Sequence, residues 1–392
     1  MRSSIRFALA GCGLLPAAAI VLVTAVSMWP GHSRAQERAG YLWTNYGPRV
    51  AVLSIVAVLA CWAAPSGRSK VVVAAVTGLA LAGAFLQVGR VVAATVRAGG
   101  SVDLISALVL PSGTSRAPDA WAVYNRVDGQ DLRVAIWRPA GATVAPVMFG
   151  IHGGGWIDGN GTAASYGPEA TWWAARGWLF VSVDYRLSSP ARATWDKSPA
   201  DVACALTWTA ATIARYGGDP GTIVVKGDSA GGNLAINLAY SAARHTAVSA
   251  CAGSVPVPRA VVTSVPVVDP QNAYDHGVPQ PTADPKVFIG NYLGGAPQQH
   301  PDRIRSISSA TYLSAAAPPT LIIEPVEDGF IPSEAVFAFA AEAKAAGVDL
   351  TTVRIPTTNH FPVYADTLAG QANRTITRAY LRKLLGQSVG RN

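Results

Sequence analysis

Charge is what this chain has least of. Only 14% of its 392 residues are Asp, Glu, Lys or Arg, where a soluble domain carries about 25%. The deficit is concentrated in the first hundred residues, which points to lipid rather than to an outsized core. No block of five or more Lys/Arg occurs and no basic helix face is interleaved with aromatics. The formal net charge of +8 is therefore scattered, and nucleic acid is excluded as the expected partner. Attraction to anionic lipid is the better use of the excess. Cysteine is also scarce: Cys12, Cys61, Cys204 and Cys251 form no C-x-x-C pair, which argues against a zinc or dithiol site. Cys12 and Cys61 lie in apolar runs. Cys204 and Cys251 share the later domain, and a bridge between them requires that this domain lie outside the reducing cytoplasm. There is no internal repeat.

What is present near the N-terminus is apolar length. Phe7 to Met28 is almost unbroken hydrophobic sequence preceded by Arg2 and Arg6, enough at 1.5 Å per residue to cross a hydrocarbon layer of about 30 Å. A cleaved signal peptide would have a shorter apolar region and a better small-x-small site than Ser33-Arg34-Ala35. Val50 to Pro65 is a shorter run, and Val71 to Gly89 a third. None of them has a polar face to turn toward water. Residues 1–100 are therefore expected to be a membrane anchor of three transmembrane helices (7–28, 50–65 and 71–89), and residues 101–392 a catalytic domain. Basic residues are nearly balanced between the loops, but the positive flank of the first segment favours an inside N-terminus. Three spans then put the catalytic domain on the extracytoplasmic face, with the plasma membrane as the expected location.

From about Ser101 the texture changes to short β-rich runs alternating with helical stretches. Strands are expected over 132–137, 147–151, 179–183, 222–226, 260–268, 320–323 and 350–355. Helices are expected over 200–216, 233–243, 333–346 and 366–385. Such alternation indicates an α/β domain with a mostly parallel central sheet and helices on both faces. The Pro-, Gly- and Gln-rich stretch 269–312 breaks the rhythm. It reads equally well as a lid over an active-site mouth or as a plain surface excursion.

The chemistry-bearing residues lie in this domain. Gly227-Asp228-Ser229-Ala230-Gly231 fits G-x-S-x-G, between an expected strand and an expected helix. A serine there sits on a sharp turn that lifts its hydroxyl into the open. His152-Gly153-Gly154-Gly155-Trp156 follows another expected strand. Glycine lets a loop backbone approach a substrate closely, and N–H donors aimed at a developing oxyanion contribute roughly 3–4 kcal/mol each. Gly154, Gly155 and Ala230 are the expected donors. Serine needs a base. Of the six histidines only His360 lies near the end of the chain, where the order Ser, acid, His places it. Asp328, at the turn made by Gly329, is the preferred acid, with Glu324 and Glu327 as alternatives. Trp156, Tyr166, Trp172 and Phe361 flank these motifs and could line an acyl or alcohol pocket, or equally be core.

HGGGW at 152–156, DYRL at 184–187, GDSAGG at 227–232, PPTLII followed by Asp328, and His360-Phe361 together resemble the hormone-sensitive-lipase-like serine esterases and their carboxylesterase relatives within the α/β-hydrolases. The resemblance covers about residues 117–388. The front end is similar to membrane-bound esterases of actinobacteria. GDSAGG is also similar to GDSGG of chymotrypsin-like proteases, but those place His and Asp before Ser in an all-β fold. The resemblance implies an α/β-hydrolase fold and hydrolysis of short- to medium-chain or lipid-like carboxylic esters through Ser229, His360 and Asp328, with no metal or organic cofactor. The implied partners are a small-molecule or lipid ester and the bilayer. Asn359-His360-Phe361-Pro362 and Glu324-Pro325 depart from the family pattern around the base and the acid. Amide cleavage, acyl transfer to another acceptor, and a non-catalytic binding role are the alternatives.

Overall fold

A computed structural model describes residues 2–29, 31–61, 68–109, 115–141, 144–157, 162–356, 358–360 and 366–386. The chain divides into two compact units: Met1–Ser112 with Pro325–Asp328 and Arg354–Ile376, and Gly113–Glu324 with Gly329–Val353 and Thr377–Asn392.

The first unit is built on α1 (Arg2–Met28), α2 (Arg34–Cys61) and α3 (Arg68–Arg97), followed by the short α4 (Leu104–Leu108). The three long helices pack through small residues, with Ala17, Ala57, Ala80 and Ala84 buried around Trp43 and Ile20. A Cβ on Gly13 would lie 3.1 Å from the Ala57 carbonyl, and one on Gly83 3.0 Å from Thr24. Small residues at helix contacts and polar groups turned inward are the packing mode of helices in lipid. Gln87 Nε2 accordingly donates to Ser27 Oγ at 2.7 Å in the buried interior. Leu22, Leu59, Val71 and Leu79 point outward and are more than half exposed. Among the described residues, Arg34–Ala60 and Lys70–Arg97 are long and apolar enough to cross a membrane. The second helix differs from the expected 50–65. It begins at Arg34, because residues 34–49 are polar enough to escape a hydropathy reading yet still helical, and it runs to Cys61.

The second unit carries an eight-stranded sheet in the order β1-β2-β4-β3-β5-β6-β7-β8. The strands are β1 (Ala120–Val127), β2 (Gln130–Trp137), β3 (Ala145–Ile151), β4 (Leu179–Val183), β5 (Gly218–Asp228), β6 (Ala260–Ser264), β7 (Thr320–Pro325) and β8 (Leu350–Ile355). β1 and β2 are antiparallel, as are β2 and β4. β3 pairs in parallel with β4 and β5, and β6 in parallel with β5 and β7. Every residue of β4, β6 and β7 is buried, the property of a parallel sheet covered by helices. The covering helices are α5 (Gly167–Ala174), α6 (Lys197–Thr212), α7 (Ala230–Ala243) and α11 (Ser333–Ala345); α8 (Pro270–His276), α9 (Pro285–Leu293) and α10 (Pro301–Ile307) precede β7, and α12 (Leu368–Leu385) closes the chain. The stretch 269–312 is thus largely helical rather than irregular. Its residue Phe288 packs on Gly155 and tilts against Trp156.

β1 has no counterpart among the expected strands. It is an edge strand with mixed burial and a register shift between Val123 and Asn125, so its alternation is weak. β6 ends at Ser264 rather than Val268 because Val265 turns to φ 47° and Pro266 cannot donate to the ladder. Cys204 and Cys251 form a disulfide with a Cα–Cα distance of 5.0 Å, inside the range that the bond requires.

Candidate active site

Ser229 occupies the single residue between β5 and α7, at φ 56° and ψ −122°. A non-glycine residue in that region is strained by about 1–3 kcal/mol and persists only where its surroundings impose it. Here the strand before and the helix after impose it. The serine N–H donates to the Ser264 carbonyl at 3.1 Å, and its own carbonyl accepts from Asn233 at 3.1 Å and Val267 at 3.2 Å. Gly231 is sterically obligatory, because a Cβ there would overlap the carbonyls of Ile151 and His152.

Beneath the turn lies a polar network that motif reading did not single out. Asp228 accepts from Tyr166 Oη at 2.5 Å, from Lys226 Nζ at 3.1 Å and from Ser264 Oγ. Lys226 also faces Glu169 at 3.8 Å, and Glu169 accepts from Trp173 Nε1 at 2.8 Å. All of these side chains are buried. A buried charge is tolerated only when paired and hydrogen-bonded, and the network meets that condition around the base of the turn. Tyr166 is therefore buried, with its hydroxyl spent on Asp228 and on the Ile151 carbonyl at 3.1 Å.

The glycine loop after β3 runs alongside the turn. A Cβ on Gly153 would sit 2.8 Å from the Asp228 carbonyl and 3.3 Å from Ser229 Cβ. Gly154 and Gly155 follow at φ 104° and φ 63°, and an added Cβ on Gly155 would meet the Phe288 ring at 2.8 Å. No hydrogen bond among the described residues uses the N–H of Gly154, Gly155 or Ala230 as donor. The loop is pinned by His152, whose ring stacks on Tyr185 at 4.4 Å and whose carbonyl accepts from Tyr185 Oη at 2.9 Å. Burial lowers the His152 imidazole to about 4, so it is neutral, with Nδ1 donating to the Gly153 carbonyl at 2.8 Å. Trp156 is fully buried, at φ 58°, and stacks on Tyr292 at 4.4 Å. Trp172 is half-buried under the Arg176 guanidinium, 3.8 Å from its ring. Phe361 lies outside the described residues.

Asp328 and His360 belong to the first unit, just after β7 and β8. His360 Nδ1 lies 2.7 Å from Asp328 Oδ2, with 3% and 0% of the two side chains exposed. Glu324 is buried within β7, and Glu327 is only half-buried. The residue before the histidine, Asn359, is bonded to α2. Its backbone N–H donates to Thr44 Oγ1 at 3.1 Å, and its Nδ2 donates to the Glu37 carbonyl at 2.9 Å and to Glu37 Oε2 at 3.2 Å. Among the described residues no group of three or more His, Cys, Asp or Glu could hold a metal ion.

A mostly parallel sheet carrying a strained serine between strand and helix defines the α/β-hydrolase fold. The chain belongs to the BD-FAE family, whose profile matches residues 134–342, more than half of its length. It is 28% identical over 267 residues to the esterase LipQ of Mycobacterium tuberculosis, an alignment covering 67% of this chain and 62% of that protein. Among solved structures it is similar to Thermogutta terrifontis esterase 2 phosphonylated by sarin, with 25% identity and a TM-score of 0.57 over 69% of this chain and 96% of the other. The butyrate-bound form of the same esterase matches with 25% identity and a TM-score of 0.54 over 68% and 94% of the two chains.

Proposed function

We propose that the protein is a membrane-anchored serine hydrolase that cleaves carboxylic esters. Ser229 Oγ attacks the ester carbonyl while His360 Nε2 takes its proton. The N–H groups of Gly154, Gly155 and Ala230 receive the oxyanion. His360 then returns the proton to the departing alcohol, leaving an acyl-serine. A water deprotonated by the same imidazole cleaves that ester, releasing the acid and restoring Ser229. The pairing of His360 with Asp328 carries the reading. A carboxylate accepting from Nδ1–H leaves Nε2 as the basic nitrogen, the tautomer that a base for serine needs. The butyrate held by a similar esterase favours short acyl chains.

The inward small residues and outward leucines and valines of α1–α3 support insertion into a bilayer. The Cys204–Cys251 bridge favours an oxidising, extracytoplasmic compartment for the catalytic domain. Thr44, which bonds the loop of His360, lies about 9 Å along α2 from the apolar run that begins at Val50. Esters presented at a lipid surface are therefore the substrates the protein meets first.

The test is covalent. Detergent-solubilised protein is treated with a fluorophosphonate probe beside Ser229→Ala, and hydrolysis of p-nitrophenyl esters of increasing chain length is measured. Labelling and hydrolysis that vanish in the variant support the reading; labelling that survives removes Ser229 as nucleophile. Retention of the protein in membranes through an alkaline carbonate wash tests the anchor.

A further inference from the structure

We propose that α2 is a working part of the catalytic apparatus, with Glu37 and Thr44 acting through Asn359 as positioning residues for His360. This rests on the assignment of His360 as base. The loop bearing His360 has no regular secondary structure at residues 358–360, and a base displaced by about 1 Å can cost 10²-fold in rate. Something must hold it. Asp328 fixes the ring; the backbone beside it is fixed by α2. Positions 37, 40 and 44 follow the three- and four-residue spacing of one helix face. Glu37 and Thr44 provide the acceptors for Asn359. Gly40 provides clearance between them, because a Cβ there would sit 3.0 Å from Asn359 Cβ. Thr44 Oγ1 also reaches Asn359 Oδ1 at 3.5 Å. Glu37, Thr44, Asn359 and His360 are all buried.

The chemistry of this contact is selective. Nδ2 of Asn359 has two acceptors on α2, a helix carbonyl and a carboxylate oxygen. Aspartate in its place would set one carboxylate against another, and alanine would remove the amide that bridges the loop to α2. A buried carboxylate carries a desolvation cost, and its contact with the residue next to the base gives that cost a function. Hydropathy alone marks α2 as a membrane span. Its first half instead bonds the residue next to His360.

The experiment uses the full-length protein in detergent and reads kcat and KM separately, with melting temperature as a fold control. Asn359→Ala and Asn359→Asp are each expected to lower kcat by about 10²-fold while KM stays within threefold. Thr44→Val is expected to lower kcat about tenfold. The double variant N359D with E37Q restores a donor–acceptor pair of reversed polarity, with the amide now on α2, and is expected to recover kcat at least tenfold over Asn359→Asp alone. A purely structural contact would change the melting temperature of these variants and leave the kcat of the folded protein unchanged. The proposal is overturned if Asn359→Ala and Thr44→Val, folded at the assay temperature, keep kcat within threefold of wild type, or if the double variant recovers nothing. Ser229→Ala and His360→Ala run alongside. If they retain hydrolysis, the assignment of the base fails and this proposal with it. If they are inactive while the α2 variants are fully active, only the role of α2 fails.

Discussion

The substitution Asp328→Asn isolates one hydrogen bond. In the native protein the carboxylate accepts Nδ1–H of His360 at 2.7 Å, and neither side chain is appreciably exposed. Asparagine is nearly isosteric and can face the ring in two ways. With Nδ2 toward the imidazole it donates to Nδ1, drives the ring proton onto Nε2 and removes the basic nitrogen. With Oδ1 toward it, the tautomer survives, but the imidazolium formed during attack loses its neighbouring negative charge. Both routes converge on a loss of about 10⁴ in kcat, equivalent to about 5 kcal/mol of transition-state stabilisation. Asp328 is assigned no substrate contact, so KM should stay within about threefold. The assay is hydrolysis of p-nitrophenyl butyrate by the solubilised protein, with Glu327→Gln as comparison and a thermal melt to verify folding. Glu327 is half-buried, and its amide should retain at least half of the activity. A folded Asp328→Asn protein with more than a tenth of wild-type activity, or a Glu327→Gln protein crippled to the same degree, would refute the acid assignment.

Three further outcomes are expected. Gly155→Ala forces a side chain into φ 63° and against the Phe288 ring; ester hydrolysis should fall on the order of 10²-fold in a protein that still melts cooperatively, and unchanged turnover would remove Gly155 from the oxyanion site. Removing the Cys204–Cys251 bridge by a double serine substitution frees a sequence separation of 47 residues, and chain entropy puts the lost stability at about 4 kcal/mol; denaturant unfolding with and without reductant measures it, and a reductant effect that persists in the double variant would contradict the assignment. His152 is buried and neutral, lowered from 6.5 to about 4. The unfolded chain therefore binds the extra proton first, and the stabilisation present above pH 6.5 is lost progressively as pH falls from 6.5 toward 4. The loss is on the order of 3 kcal/mol; His152→Phe keeps the stack on Tyr185 and should flatten this part of the stability–pH curve, and an equally steep curve would assign the acid sensitivity elsewhere.

Much of the hydrolase unit was legible because its elements announce themselves locally. β4 is a fully buried apolar run with the bounds that its sequence suggests. β5 also lies where its apolar run suggests but is longer, Gly218–Asp228, with Pro220 and Gly221 exposed, and the G-x-S-x-G turn follows from the chemistry of a strand that must reverse into a helix within one residue. β1 was missed although a signal was present. Asp128-Gly129 links it to β2 with φ 50° and φ 75°, the two positive values of a tight hairpin that Asp-Gly favours. The network of Asp228, Tyr166, Lys226 and Glu169 was not legible. These residues come from separate elements, and nothing local distinguishes a buried lysine from a surface one. α2 begins at Arg34, ahead of the expected span 50–65, for a related reason. Its polar first half reads as a loop on hydropathy, since the face that buries Glu37 and Thr44 has its partner more than three hundred residues later.

Sequence by itself determined what depends on neighbours along the chain: the strand and helix periods, the glycines that sharp turns demand, and the apolar lengths. Only the tertiary structure decided which carboxylate meets His360, that Cys204 and Cys251 pair, and that α2 bonds the residue beside His360. Local conformation is set by sterics and propensity within a few residues. A hydrogen bond between distant segments forms only when the packing of the whole chain brings its partners together.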